Sequence, residues 1–353
     1  IRPDENSARE IMQPFSIGLN KLNPDGTPML DGGGAMIPTY DQLVVEGFAA
    51  TFTGWNYANS TNWDWPDENY LPMEPWEQYH ETAAKTVLDG NVIPANQTAQ
   101  QDLTMALDLI FNHPNVGPFI SRALIQRLVT SNPSPAYVGR VAAVFDDDGM
   151  GVRGNWLAVL KAILLDTEAV DGPVTDPATF GKVREPILRL TALWRAFHAV
   201  APGGYYRYFY PEEDFGQGPL RAPSVFNFFA PDYLPPGALH DAGLFAPEFQ
   251  ITTEARITST TNRFYDCTFD GFYGGSVHLD RGLVILNTEQ ALASDPAALV
   301  EDLNLLLMSG GMSTEMKTIV ESMVTDTDPT DSRQRVLEAL YLITTSPEFA
   351  VQK

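Results

Sequence analysis

Thr98-Ala99-Gln100-Gln101-Asp102-Leu103-Thr104-Met105-Ala106-Leu107-Asp108-Leu109-Ile110-Phe111 is the stretch on which the fold class turns. Thr98 and Gln101 have the spacing at which each side chain can bond the other's backbone N–H and open a helix. Leu103, Leu107, Ile110 and Phe111 follow at i, i+4, i+7 and i+8, which predicts a helix with that stripe in the core. The same grammar recurs along the chain. Asn155 caps a run with Trp156, Val159, Leu160, Ile163 and Leu164 on one face. Ile187, Leu190, Trp194 and Phe197 make another stripe. Asp295, with proline at the first helical position, opens a run through Leu299, Leu303, Leu306 and Leu307. Val336, Leu340 and Ile343 belong to a closing helix that stops before Ser346-Pro347. Each stripe is expected to be core.

Strand signals are sparse. Pro24-Asp25-Gly26 and Asp31-Gly32-Gly33-Gly34 are turns between short apolar pairs. Val87-Leu88, Asp89-Gly90 and Val92-Ile93 predict a small hairpin within 85–94. The expected fold is mainly α: an irregular multi-helix domain with long aromatic, Pro/Gly-rich loops and one or two small β-hairpins. A single large domain over 1–353 is expected, with a subdivision near 200–220.

The chain has 353 residues, with 22 Lys+Arg against 45 Asp+Glu, a formal net charge of -23. Such a surface repels nucleic acid and anionic membranes. No stretch approaches the roughly 18 apolar residues needed to span a bilayer. The single cysteine, Cys267, excludes an internal disulfide framework and a cysteine-rich zinc site, and reads as a small buried side chain. The opening Ile1-Arg2-Pro3-Asp4 reads as the middle of something longer.

Two loops stand out by their aromatic content. Trp55 to Tyr79 holds Trp55, Trp63, Trp65 and Trp76 with Tyr57, Tyr70 and Tyr79. Tyr205 to Tyr210 is Tyr-Tyr-Arg-Tyr-Phe-Tyr, followed by Phe226, Phe228, Phe229 and Tyr233. Loops of this length are functional when they are ordered, and aromatics are the usual anchors of interfaces. Trp55, Trp63, Trp65, Trp76 and Tyr79 are the candidate ligand or interface aromatics, with a glycan as one ligand class.

Arg2-Pro3-Asp4-Glu5-Asn6 leads into Ala8-Arg9-Glu10-Ile11-Met12-Gln13 and Phe15-Ser16-Ile17-Gly18; Phe52-Thr53-Gly54-Trp55 and His80-Glu81 with Lys85 follow. Together with Phe111-Asn112-His113-Pro114 and Ser346-Pro347-Glu348-Phe349, these strings resemble a bacterial family named domain of unknown function 1800, over essentially the whole chain. The resemblance implies an exported, largely α-helical protein, periplasmic, cell-surface or extracellular. It also implies a sulfatase-like partner family (domain of unknown function 1501) and a further stretch before the Ala-Arg-Glu motif, so that this chain is the C-terminal portion of a longer protein. Pro14 stands where the family has leucine, and is expected to kink the first helix. Glu81 stands for aspartate and Ser7 for tyrosine.

The matched motifs supply the candidate catalytic cluster: Arg9, Glu10, His80, Glu81 and Lys85. His80 and Glu81 have the chemistry of a general base and its orienting carboxylate, or of two metal ligands. Lys85 or Arg9 has the charge to hold an anion. The competing expectation is a buried Arg9–Glu10 ion pair tying the first helix to the Trp55 loop. A zincin pattern is absent, since no second histidine follows four residues after His80. His113, before Pro114, reads as a helix-end residue.

Asp146-Asp147-Asp148-Gly149-Met150-Gly151 puts aspartates at positions one and three of a calcium loop and glycine at position six. Met150 at position five and Leu157 at position twelve exclude an EF-hand. Asp146 and Asp148 remain candidate ligands of a lower-coordination calcium site, beside the reading as a solvated acidic loop. Gly149-x-Gly151-x-x-Gly154 matches a dinucleotide fingerprint but follows an expected helix over 137–145 and three aspartates, which repel a pyrophosphate.

The functional expectation is an exported accessory or structural protein working in an assembly. Its partners are other chains: a missing N-terminal portion, copies of itself or a sulfatase-like protein. The alternatives are an enzyme acting on an extracellular glycan or polymer through His80 and Glu81, and a calcium-stabilised surface protein.

Overall fold

A computed structural model describes residues 3–61, 70–200, 204, 210–269 and 284–353, without the side chains of 267–269. Trp63, Trp65, most of the Tyr205–Tyr210 run and the side chain of Cys267 therefore lie outside the described residues. The described chain is mainly α, with two-stranded pairings only. It divides into two compact units, Ile1–Leu128 with Pro133–Asp171, and Val129–Asn132 with Gly172–Lys353.

In the first unit, α1 (Glu5–Met12) and α2 (Gln42–Thr51) pack together. Then come β1 (Trp55–Asn56), β2 (Glu74–Pro75), β3 (Lys85–Thr86) and β4 (Val92–Ile93). Helices α3 (Ala99–Asn112), α4 (Val116–Leu128), α5 (Pro135–Asp146) and α6 (Trp156–Leu164) complete it, and α7 (Thr167–Thr175) crosses the division. Helix α1 is capped by the Asp4 carboxylate and ends at Met12, so Pro14 follows the helix instead of kinking it. The expected hairpin is β3–β4, with Lys85 opposite Ile93 and Thr86 opposite Val92, closed by a longer loop in which Asp89 and Gly90 take positive φ. Asn115 clasps the turn-rich segment before α2: its Nδ2 donates to the Ile17 and Asn20 carbonyls, both at 2.8 Å, and its Oδ1 accepts from Leu22 N–H at 3.0 Å. Tyr137, fully buried on α5, donates to the Ile163 carbonyl on α6 at 2.5 Å.

The caps form as read. Thr98 and Gln101 make the reciprocal capping box of α3, and Asn155 caps α6. The buried faces do not all follow the stripes. Ile110 is buried on α3, but Leu107 and Phe111 are exposed, and the helix buries Ala99, Asp102 and Ala106. On α6, Val159 and Ile163 are buried while Trp156, Leu160 and Leu164 are exposed. On α3 the buried face carries the small Ala99 and Ala106, which allow a close approach of neighbouring elements.

The second unit contains β5 (Lys182–Val183), α8 (Pro186–Ala196), α9 (Pro211–Phe215), α10 (Ala238–Asp241), α11 (Glu254–Phe269) and α12 (Asn287–Leu292). Helices α13 (Pro296–Met308), α14 (Thr314–Asp326), α15 (Ser332–Thr345) and α16 (Pro347–Ala350) follow, and β6 (Val351–Gln352) pairs antiparallel with β5. Its core joins Leu190, Leu193 and Phe197 to Leu299, Leu303, Leu307, Val336, Leu340 and Ile343. Here the expected stripes hold, except that Leu306 faces water. The short segment Val129–Asn132 belongs to this unit through Ser131 N–H to the Gly181 carbonyl at 3.0 Å and Asn132 to Phe245 in both directions.

Candidate functional site

Two of the separated motifs meet around a residue that neither contains. Gly47 lets α2 lie against β3, because a Cβ there would collide with the Thr86 carbonyl oxygen. Beyond α2 the chain turns through Thr53 and Gly54. Gly54 has φ of +81°, and a Cβ on it would stand 3.0 Å from His80 N, Cα and Cβ. The Thr53 hydroxyl donates to the Ala50 carbonyl at 2.7 Å and accepts from Glu81 N–H at 2.9 Å. His80 Nδ1 lies 3.0 Å from the Thr53 carbonyl. Phe52-Thr53-Gly54-Trp55 is thus the seat on which His80-Glu81 rests.

Asp102 closes the arrangement from the first turn of α3. His80 Nε2 is 3.0 Å from Asp102 Oδ2, and Lys85 Nζ is 2.6 Å from the same oxygen. Lys85 also donates to the Ala83 carbonyl at 3.0 Å. The three side chains are sealed: 0% of His80, 0% of Asp102 and 2% of Lys85 is exposed. A carbonyl only accepts, so the Thr53 contact places a donor hydrogen on His80 Nδ1. Asp102 Oδ1 is buried without a hydrogen-bond partner among the described residues. Such a cluster repays its desolvation only while every partner is in place.

The sequence reading named His80 and Lys85 and missed Asp102. The available signal was an aspartate on a helix otherwise read for its leucines; nothing local marks it as inward-facing. Glu81 is not the carboxylate that orients His80. It is exposed, and its Oε1 accepts from Ala83 N–H at 2.9 Å. Arg9 and Glu10 do not form the expected buried pair. Arg9 donates to Gln42 Oε1 at 2.5 Å and lies 3.4 Å from Glu5, with 42% of its side chain exposed, while Glu10 accepts from Asn6 Nδ2 at 2.7 Å. An open hollow of about 360 Å³ reaches Glu46, Glu81 and Lys85; neither His80 nor Arg9 lines it.

Among the aromatics, Trp55 Nε1 is buried without an acceptor among the described residues, and the Trp76 and Tyr79 rings lie 5.9 Å apart with Tyr79 exposed. In the acidic loop, Asp146 pairs with Arg153. Asp148 accepts from Met150 N–H at 2.9 Å, Val152 N–H at 3.2 Å and Asn155 Nδ2 at 2.6 Å, and the Asn155 bond, with these N–H groups, holds its pKa below the ordinary carboxylate value. No group of three or more His, Cys, Asp or Glu that could hold a metal ion occurs among the described residues.

A family model described as "Protein of unknown function (DUF1800)" matches residues 1–351. The chain belongs to the DUF1800 family. No curated protein and no solved structure matches it. In this DUF1800 chain the motif residues Thr53, Gly54, His80 and Lys85 are accounted for by one buried network centred on Asp102. No helix among the described residues is long and apolar enough to cross a membrane.

Proposed function

We propose that this DUF1800 chain is an exported accessory or structural protein that works bound to another protein chain, with His80, Asp102 and Lys85 holding its architecture. One observation carries the reading: the outward face of α6 is apolar. Trp156, Leu157, Leu160 and Leu164 are 54%, 65%, 38% and 52% exposed, and Leu165, just beyond the helix, is 72% exposed. Lys161 is the only charge on the helix. Beneath it the buried Phe145 ring lies 6.4 Å from Trp156 and 6.1 Å from the exposed Phe111 of α3, and the Arg153 guanidinium stands over the Phe111 and Phe145 rings at the edge. Contiguous apolar surface rimmed by polar groups marks interaction sites.

The occupant is a different chain. An antiparallel pairing of two α6 helices centred on Leu160 would bring Lys161 toward its own copy, and like charges there oppose a symmetric dimer. The fitting partner presents an apolar strip with a carboxylate opposite Lys161. The net charge of -23 supports export, since it keeps the chain soluble outside the cell.

The test is purification of the tagged chain from its source, with intact-complex mass measurement, for wild type and Leu160→Gln/Leu164→Gln. A stoichiometric complex with one other polypeptide, lost in the variant and weakened by Lys161→Glu, is expected. A monomer, or an assembly of copies of this chain, overturns the proposal.

A further inference from the structure

The β3–β4 hairpin and the second half of α3 line an open hollow of about 430 Å³. Helix α3 contributes Met105, Asp108, Leu109 and Asn112, spaced i, i+3, i+4 and i+7 and so on one face, and His113 follows at the helix end. The hairpin contributes Leu88, Asp89, Asn91 and Val92. Leu88 is buried and Met105 and Leu109 are half-buried, whereas Asp89, Asn91, Asp108 and Asn112 are exposed, so an apolar floor lies under a polar rim.

The rim is rich in acceptors. Asn91 Nδ2 donates to the Leu88 carbonyl and Asn112 Nδ2 to the Asp108 carbonyl, both at 2.8 Å, and neither amide oxygen receives a hydrogen bond among the described residues. The ionised carboxylates of Asp89 and Asp108 only accept. Lys21 engages Asp89 Oδ1 at 3.1 Å from outside the lining, and no lysine or arginine is among the described lining residues.

His113 supplies a donor. It is 5% exposed and yet lines the hollow. Its Nδ1 accepts from Asn115 N–H at 3.1 Å, so the neutral ring carries its hydrogen on Nε2. That Nε2 stands 3.5 Å from Asp89 Oδ2, longer than an ordinary N–H···O bond. The group that fits between them accepts from Nε2–H and donates to Oδ2, and a hydroxyl does both. Further hydroxyls can donate to Asp108 and to the two amide oxygens, while Val92, Met105 and Leu109 meet C–H groups. An ammonium answers the carboxylates but offers His113 no acceptor, an anion is repelled by them, and a bare metal ion leaves most of the volume unfilled.

We propose that this hollow binds one neutral pyranose ring of a glycan. The site is independent of the α6 surface. The experiment follows the imidazole Cε1–H NMR signals of the full chain, labelled with 13C-histidine, at pH 7.5, with the His113 signal assigned by its loss in His113→Gln. The probes are the methyl pyranosides of glucose, galactose, mannose, N-acetylglucosamine and N-acetylgalactosamine, with n-butylammonium chloride and sodium chloride as controls. At least one glycoside should shift the His113 signal in a saturable way and leave the other histidine signals in place. Asp108→Ala, a change at an exposed position, should weaken that glycoside's apparent affinity by about tenfold, the factor for losing one hydrogen bond to a charged group, with the other histidine signals reporting an intact fold. Glu315→Gln, at an exposed carboxylate on α14, should leave the response unchanged. The proposal is overturned if no glycoside moves the His113 signal, if n-butylammonium or sodium chloride moves it as far, or if Asp108→Ala binds as wild type does.

Discussion

Lys85 Nζ and Asp102 Oδ2 lie 2.6 Å apart, across 17 residues of sequence, with 2% and 0% of their side chains exposed. The carboxylate also meets His80, so it answers to two nitrogen donors. Removing it leaves a buried ammonium and an imidazole with no shared acceptor. Asp102→Ala should cost about 3–5 kcal/mol in urea unfolding. Replacing all three groups by apolar ones, His80→Leu, Lys85→Met and Asp102→Leu, should cost less than that single change, since no buried charge is then stranded. A single change milder than the triple one would show that the cluster is not a mutually dependent unit.

Gly47 is where α2 admits β3, and β3 carries Lys85. A Cβ at this position meets the Thr86 carbonyl oxygen, which is backbone and cannot swing aside. Gly47→Ala should therefore destabilise by about 2–3 kcal/mol or more, despite its favourable helix propensity. Its unfolding midpoint in urea checks this; a midpoint at or above wild type would contradict the packing described.

His113 is buried at the end of α3, where its Nδ1 accepts from Asn115 N–H at 3.1 Å. Burial holds its pKa below the ordinary 6.5, assisted by Lys21 and Arg153 and opposed by Asp89. In the window just below pH 6.5 the unfolded chain binds a proton that the folded chain does not. The contribution of His113 to stability should therefore rise with pH through this window and be lost as pH falls through it. The carboxylates Asp148 and Asp166, whose pKa values are lowered by Asn155 and Arg140 respectively, act in the same direction at lower pH, below 3.8. His113→Gln should remove the upper component and leave the lower one. Unfolding free energies measured from pH 8 down to well below pH 3.8 separate the two.

Glu289 is buried on α12 with Oε2 unpartnered among the described residues, and its pKa is raised by burial first and by Asp302 as well. A carboxyl with a raised folded pKa favours folding below its ordinary value of 4.5, and that contribution is lost as pH rises through the folded value. At neutral pH, Glu289→Gln should stabilise the second unit, by about 1 kcal/mol on the scale of one buried polar group. The gain should vanish at pH 4, which thermal midpoints at the two pH values will show.

What could be read directly from residues was local. The Thr98–Gln101 box, the Asn155 cap, Asp295 with Pro296, and the stop at Ser346-Pro347 each exchange hydrogen bonds within a few residues, so spacing alone locates the helix ends. The candidate cluster was half legible. His80 and Lys85 stand in quoted motifs, but their common partner lies 17 to 22 residues further on, in a stretch read as an amphipathic helix.

By itself, then, the sequence determined the helical class, the caps, the β3–β4 turn and the family. Tertiary structure decided which face of each helix is inside. Leu107 and Phe111 satisfy the helical period as well as Asp102 and Ala106 do, and periodicity cannot rank two faces. The choice falls to the partner: small side chains bring α3 close, and an aspartate can enter because His80 and Lys85 arrive from elsewhere in the chain to meet it.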